Sequence, residues 1–268
     1  LPSQSLWTTI SHPQGLLVGT ENGLFLVNGG DAKLILPTDE TIASLYYRDD
    51  DPDVIFCGGS RHLSILHFVD GKWQDAGTVP GVEGEIRNIT SKGANRLWLG
   101  TTTRGFIRVD RPSGQSDWKN SRITSYRENH GLPARQGWSM PIDSPIGLLF
   151  MTEQGMYYYN EVHDEFERDL RWTIDGRSYL NIPPFAAGAQ NTVWLQATEP
   201  DHPASFLLGG LHFGTNPPTW ESLPKTWLQR AGYGGAKAIS WEPGAGGEGV
   251  LWVGGTDALV RIDLSATR

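Results

Sequence analysis

Arg96-Leu97-Trp98-Leu99-Gly100-Thr101 decides how this chain is read: three large apolar residues in a row run into a small-residue turn. So short an apolar run suits a strand buried on both faces, and glycine followed by threonine ends it in a tight reversal. The phrase returns as Leu16-Leu17-Val18-Gly19-Thr20, Ile55-Phe56-Cys57-Gly58-Gly59, Leu148-Leu149-Phe150-Met151-Thr152, Val193-Trp194-Leu195-Gln196-Ala197 and Leu251-Trp252-Val253-Gly254-Gly255. From Gly19 through Gly58, Gly100, Met151 and Gln196 to Gly254 the steps are 39, 42, 51, 45 and 58 residues. A period of about 40 to 45 residues holds about four strands, which predicts an all-β fold: a β-propeller of four-stranded blades. Six repeats are visible, and the intact ring is open to a seventh blade or a tandem propeller.

Outward from this phrase, the third repeat predicts a first strand at Ile86 to Thr90, a third at Gly105 to Val109 and a fourth at Ile123 to Tyr126. Comparable first strands are expected at Leu6 to Ile10, Ile42 to Tyr46, Trp138 to Ile142, Ile182 to Phe185 and Ala236 to Trp241. Fourth strands are expected at Leu34 to Leu36, Trp73 to Ala76, Arg171 to Ile174 and near Trp220. Pro200 and Pro203 predict an excursion in the centre of the fifth repeat.

Composition agrees with many short strands and tight turns: 33 Gly and 17 Pro punctuate a chain that also carries 11 Trp. A repeat that runs end to end predicts a single propeller domain over residues 1–268. The net charge of −8 argues against nucleic acid and anionic membranes as partners, since both need a dense basic surface. Neither a long apolar run nor a basic start leading into one is present, so no direct membrane insertion by this segment is expected. Cys57 is the only cysteine and excludes an internal disulfide.

The run Leu97-Trp98-Leu99-Gly100-Thr101, followed by Gly105, Arg108 and Asp110, resembles the two-component regulator propeller repeat of hybrid sensor kinases and related bacterial signalling proteins. Tyr126-Arg127-Glu128-Asn129-His130-Gly131-Leu132-Pro133 resembles that family's link between blades, with Trp138 six residues after Leu132; Leu1 and Trp7 repeat the spacing. The likeness covers nearly all 268 residues, with Met151 and Gln196 standing where the family prefers glycine. It implies a sensor domain on the periplasmic or extracellular side. It also implies a ligand that is a small molecule or oligosaccharide, and other domains of the same protein as partners. Leu1 inside a blade connection, and Leu259 to Asp263 as a third strand with little after it, predict a fragment of a longer multidomain protein.

In a four-stranded blade the two-to-three turn and the link to the next blade emerge on one face, where propellers commonly hold ligands. The candidate ligand-binding residues there are Arg61, His62, Arg104 and Glu153 from the turns, with His130, Arg135 and Trp138 from the long link. Guanidinium, imidazole and indole groups in a cleft suit a sugar or carboxylate, through paired hydrogen bonds and stacking. Catalytic residues, metal ligands and cofactors are not assigned. Gly-x-Ser-x-Gly is missing, Cys57 lies in an apolar strand, and no His-Glu-x-x-His occurs among seven histidines. The glycine-rich run at Gly244 to Gly249 lacks the Lys-Ser or Lys-Thr of a phosphate loop, and the acidic run Asp49 to Asp53 lies on the opposite face. A ligand-sensing domain is thus the leading expectation. A propeller lyase or glycoside-active enzyme and a protein-interaction scaffold are the alternatives.

Overall fold

The computed structural model describes residues 5–134, 137–144, 146–174, 177–178, 180–188, 191–199, 202–215, 218–224, 226, 236–244 and 249–264. The chain is an all-β β-propeller in which six antiparallel sheets follow one another as blades, each a simple meander. Five blades have four strands; the sixth has three among the described residues, and a two-stranded hairpin lies between blades four and five in sequence. No described helix is long and apolar enough to cross a membrane. By packing, the chain divides into two compact units, Leu1–Ile142 with Val162–Glu165, and Asp143–Glu161 with Phe166–Arg268.

The first unit holds three complete blades. Their strands are Leu6–His12, Gly15–Thr20, Gly23–Asn28 and Asp31–Pro37; Ile42–Arg48, Asp51–Gly59, Leu63–Val69 and Lys72–Thr78; and Ile86–Ser91, Arg96–Thr101, Phe106–Asp110 and Arg122–Tyr126. Side chains alternate across a strand, so an apolar run can feed two cores at once. Ile55 and Cys57 join Leu17, Leu24 and Ile42, whereas Phe56 between them joins Leu63, Ile65, Leu97 and Leu99. Trp98 points away from Leu97 and Leu99 to meet Tyr126 at 5.3 Å between ring centres, with the Arg108 guanidinium over its ring. Fourth strands bury little, as in Lys72–Thr78, where no residue is fully buried.

A recurring turn explains the threonine of the phrase. The Thr20, Thr101 and Thr152 hydroxyls donate to the carbonyls of Gly23, Gly105 and Gly155 at 2.9, 2.9 and 3.1 Å. Each also accepts a backbone N–H, from Asn22, Arg104 and Gln154 respectively. Buried hydroxyls satisfied in both roles fix the two-to-three turn. Thr152 makes this turn despite Met151 beside it, so the glycine before the threonine is not what the turn requires.

In the second unit, blade five (Leu180–Ala187, Thr192–Glu199, His202–His212, Thr219–Ser222) and blade six (Ala238–Pro243, Gly249–Gly254, Leu259–Asp263) share a core of Trp194, Leu208, Ile239, Leu251, Val253 and Ile262. Gln196, 1% exposed, accepts the Ala236 N–H at 2.6 Å, so its side chain ties blade five to the start of blade six. Pro200, part of the excursion expected in blade five, lies outside the described residues; the third strand beside it runs 11 residues, and the register slips between Thr198 and Glu199. Such a slip is a local irregularity of the bulge kind, which lets the ladder continue past a misfit.

Blade four (Ser139–Ser144, Gly147–Thr152, Gly155–Asn160, Glu165–Arg168) corrects one sequence expectation. Its fourth strand is Glu165–Arg168 rather than Arg171 to Ile174. Asp164 adopts φ 56°, which a short polar side chain tolerates, and the chain reverses soon after the third strand. Phe166 then fills the aromatic cluster with Phe150 and Tyr159, at 4.8 and 5.3 Å between ring centres. Thr173–Ile174 pairs instead with Arg177–Ser178, and Trp172 packs on Phe213.

Candidate functional site

In the first unit, the acidic link between blades one and two meets the basic turn of blade two. The Thr38 hydroxyl accepts the Glu40 N–H at 3.1 Å and sets the start of that link. Glu40 then lies over Gly59, where a β-carbon would come within 2.7 Å of its Oε2. That oxygen accepts the N–H groups of Arg61 and His62 at 2.8 and 3.2 Å, and Oε1 accepts His62 Nδ1–H at 2.5 Å. Arg61 pairs with Asp39 at 3.0 Å and lies 3.5 Å from Glu40. The Glu40 side chain is only 12% exposed, whereas those of Arg61 and His62 are 57% and 44% exposed. The result is a nearly buried anion that organises two outward-facing donor groups.

Burial acts to raise the Glu40 pKa, but the hydrogen bonds from His62 and from the Arg61 backbone outweigh it and hold the carboxyl below its ordinary range. The native state thus favours ionised Glu40, and the stability this contributes is present above the unfolded pKa and lost as pH falls through the folded one. Glu40→Gln is expected to lower the urea midpoint at neutral pH. The gap from wild type should hold down to about pH 5 and close in more acidic buffer, since free glutamate titrates near 4.3. A gap independent of pH would show that Glu40 acts only through its shape.

The next link extends the same pattern. Gly84 donates its N–H to the Arg61 carbonyl at 2.9 Å and lies against the aliphatic part of Arg104, which pairs with Glu83 at 3.3 Å. Arg61, His62 and Arg104 are thereby joined through the Val79–Glu85 stretch. His130 sits at the end of a single 3-10 turn, Glu128–His130, closed by Gly131 at φ 83°. Its Nδ1 accepts the Arg127 N–H at 3.3 Å, and its ring meets Tyr126 edge-on at 5.1 Å. Trp138 is half-buried just before blade four begins. Glu153 is exposed on a turn of the second unit, and Arg135 lies outside the described residues.

Sequence reading chose Arg61, His62, Arg104, His130, Arg135, Trp138 and Glu153 on this face and passed over Asp39, Glu40 and Glu83. The signal available was their place in the links, which share a face with the two-to-three turns. Chemically, the cluster presents a guanidinium and an imidazole whose geometry is set by carboxylates behind them. Such donors suit vicinal hydroxyls or a carboxylate.

The chain matches no family model, and no curated protein is similar to it in sequence. Solved structures share its fold. The extracellular domain of a protein described as a hybrid two-component system of B. thetaiotaomicron aligns with a TM-score of 0.64 at 14% identity, covering 100% of this chain and 34% of that one. An ancestral GH74 enzyme aligns with a TM-score of 0.64 at 12% identity, covering 96% and 36%. The Cps50 (Swd1) β-propeller domain of Myceliophteria thermophila aligns with a TM-score of 0.62 at 10% identity, covering 97% and 83%. The chain thus spans about a third of the length of the first two. At such identities the likeness is one of fold, and function has to be argued from the site.

Proposed function

We propose that this chain is the ligand-sensing propeller of a bacterial two-component-type receptor, outside the cytoplasm, and that its ligand is an oligosaccharide. The carrying observation is the Asp39-Glu40-Arg61-His62 cluster, in which a depressed carboxylate fixes two exposed donors. Glycoside cleavage needs a carboxyl group kept protonated near neutral pH. Glu40 is shifted the other way, while Asp39 and Glu83 are tied to Arg61 and Arg104, which favours binding over turnover. The resemblance of the repeats to the two-component regulator propeller family, and the fold shared with an extracellular two-component domain, support the receptor setting.

The test is isothermal titration of the 268-residue chain against neutral and acidic oligosaccharides, with reducing-end release followed on the same samples. At least one panel member should bind below about 1 mM without being cleaved, and the Arg61→Ala/His62→Ala variant should bind it at least about tenfold more weakly, a loss near 1.4 kcal/mol. Binding unchanged in the double variant, or no binding by any member, would overturn the reading. Cleavage of the panel would replace it with the enzyme.

A further inference from the structure

The first strands of blades one, two and three pack side by side, and each carries one residue that the ladder to its second strand skips: Trp7, Ala43 and Arg87. A residue skipped in this way forms a bulge, which re-aims its side chain out of the regular alternation. Each is the second residue of its strand, at the end where the links between blades enter, so the bulges open on the face that carries Arg61 and His62. Blade two contributes only the methyl group of Ala43 here, and the larger side chains of blades one and three meet. The Arg87 guanidinium lies over the Trp7 ring, 5.0 Å from its centre, and pairs with Glu85 at 2.6 Å. Glu85 is anchored by its carbonyl, which accepts the Thr102 N–H at 3.4 Å, while Gly84 beside it donates to the Arg61 carbonyl.

An indole is among the largest apolar surfaces a side chain offers, and its burial is favourable. Trp7 is nevertheless 44% exposed. Among the described residues no second ring or cation packs on it, and its Nε1–H has no acceptor. The Arg87 and Glu85 side chains beside it are 36% and 31% exposed. Their charges balance each other, so the pair presents donors and an acceptor with no net charge next to an apolar ring.

We infer that Trp7, Arg87 and Glu85 form a subsite for one neutral pyranose unit, with the indole as its stacking platform. The inference rests on the proposed sensing of an oligosaccharide and specifies that the sugar held here is uncharged. A pyranose is apolar on its C–H faces and polar around its edge, which matches a flat aromatic surface flanked by a donor and an acceptor. Stacking of Arg87 steadies the indole plane, and Nε1–H adds a donor at the ring edge. A uronate gains less, since Glu85 repels its carboxylate and already balances Arg87.

Isothermal titration of the 268-residue chain with cellotetraose, xylotetraose, mannotetraose and tetragalacturonate tests it, with Trp7→Ala, Trp7→Phe and Arg61→Ala/His62→Ala beside wild type. At least one neutral tetrasaccharide should bind, at least about tenfold more weakly to Trp7→Ala and within about threefold of wild type to Trp7→Phe, which keeps an aromatic face. Tryptophan emission should shift to the blue on saturation of wild type and not of Trp7→Phe, because the sugar takes that indole out of water. The subsite falls and the sensing reading stands if a tetrasaccharide binds Arg61→Ala/His62→Ala more weakly but Trp7→Ala as tightly as wild type, or if tetragalacturonate alone binds. Loss in Trp7→Ala with binding unchanged in Arg61→Ala/His62→Ala keeps the subsite and overturns the role of the Arg61 cluster. If none of the four binds, both fall.

Discussion

Gly100→Ala is expected to destabilise the protein by about 3 kcal/mol, while the same change at the equivalent Gly254 leaves stability unchanged or raises it by about 0.5 kcal/mol. A β-carbon on Gly100 would lie 2.1 Å from the Ser139 carbonyl oxygen and 2.6 Å from Pro141 Cδ, in the first strand of the next blade. Backbone cannot rotate aside as a side chain can, so the two strands must separate and the packing around them loosens. Gly19 and Gly58 meet the carbonyls of Ile42 and Ile86 in the same way, at 2.7 and 2.8 Å. On Gly254 a β-carbon would touch, among the described residues, only Ala238, no nearer than 3.5 Å. Urea unfolding of the two variants beside wild type decides the matter. Equal effects would mean that the glycine serves its own turn rather than the neighbouring blade.

Trp98→Ala should cost more still, about 3 to 5 kcal/mol, as truncation of a fully buried tryptophan usually does. Trp98 is 0% exposed and occupies the face of its strand opposite Leu97 and Leu99. Its ring packs against Tyr126, and the guanidinium of Arg108 lies over both rings, itself held by Asp110 and by Asp164 at 3.1 Å. Tyr126 donates to Asp164 at 2.6 Å, so indole, phenol and guanidinium form one packed group with a shared carboxylate. Removing the indole leaves a cavity and loosens both polar partners. Chemical unfolding that showed a loss under about 1 kcal/mol would mean that the group collapses without penalty, against the usual behaviour of well-packed cores.

Most strands were legible because the information is local. A three-residue apolar run reads as a strand buried on both faces, and Ile55, Phe56 and Cys57 do divide between two cores. The fourth strand of blade four was misread because its four residues, Glu165–Arg168, carry one apolar anchor, Phe166, between charges. Arg171 to Ile174 offered more apolar residues and none of the right geometry. Departures at Met151 and Gln196 also could not be interpreted from sequence, since the motif does not say which of its residues serves the turn and which serves the next blade.

The candidate site was half legible. Arg61, His62 and Arg104 were found from their position after the repeated phrase, but the groups that orient them come from elsewhere in the chain. Glu40 is 21 and 22 residues from its partners, and Gln196 is 40 residues from Ala236. What the sequence determined by itself was the repeat, the strand order and the alternation of buried side chains, because those follow from the period of two along an extended chain. Only the tertiary structure decided what Gly100 is for and which carboxylate holds His62. These depend on how one blade stacks on the next and how loops of one blade meet, and no pattern within a single repeat encodes either distance.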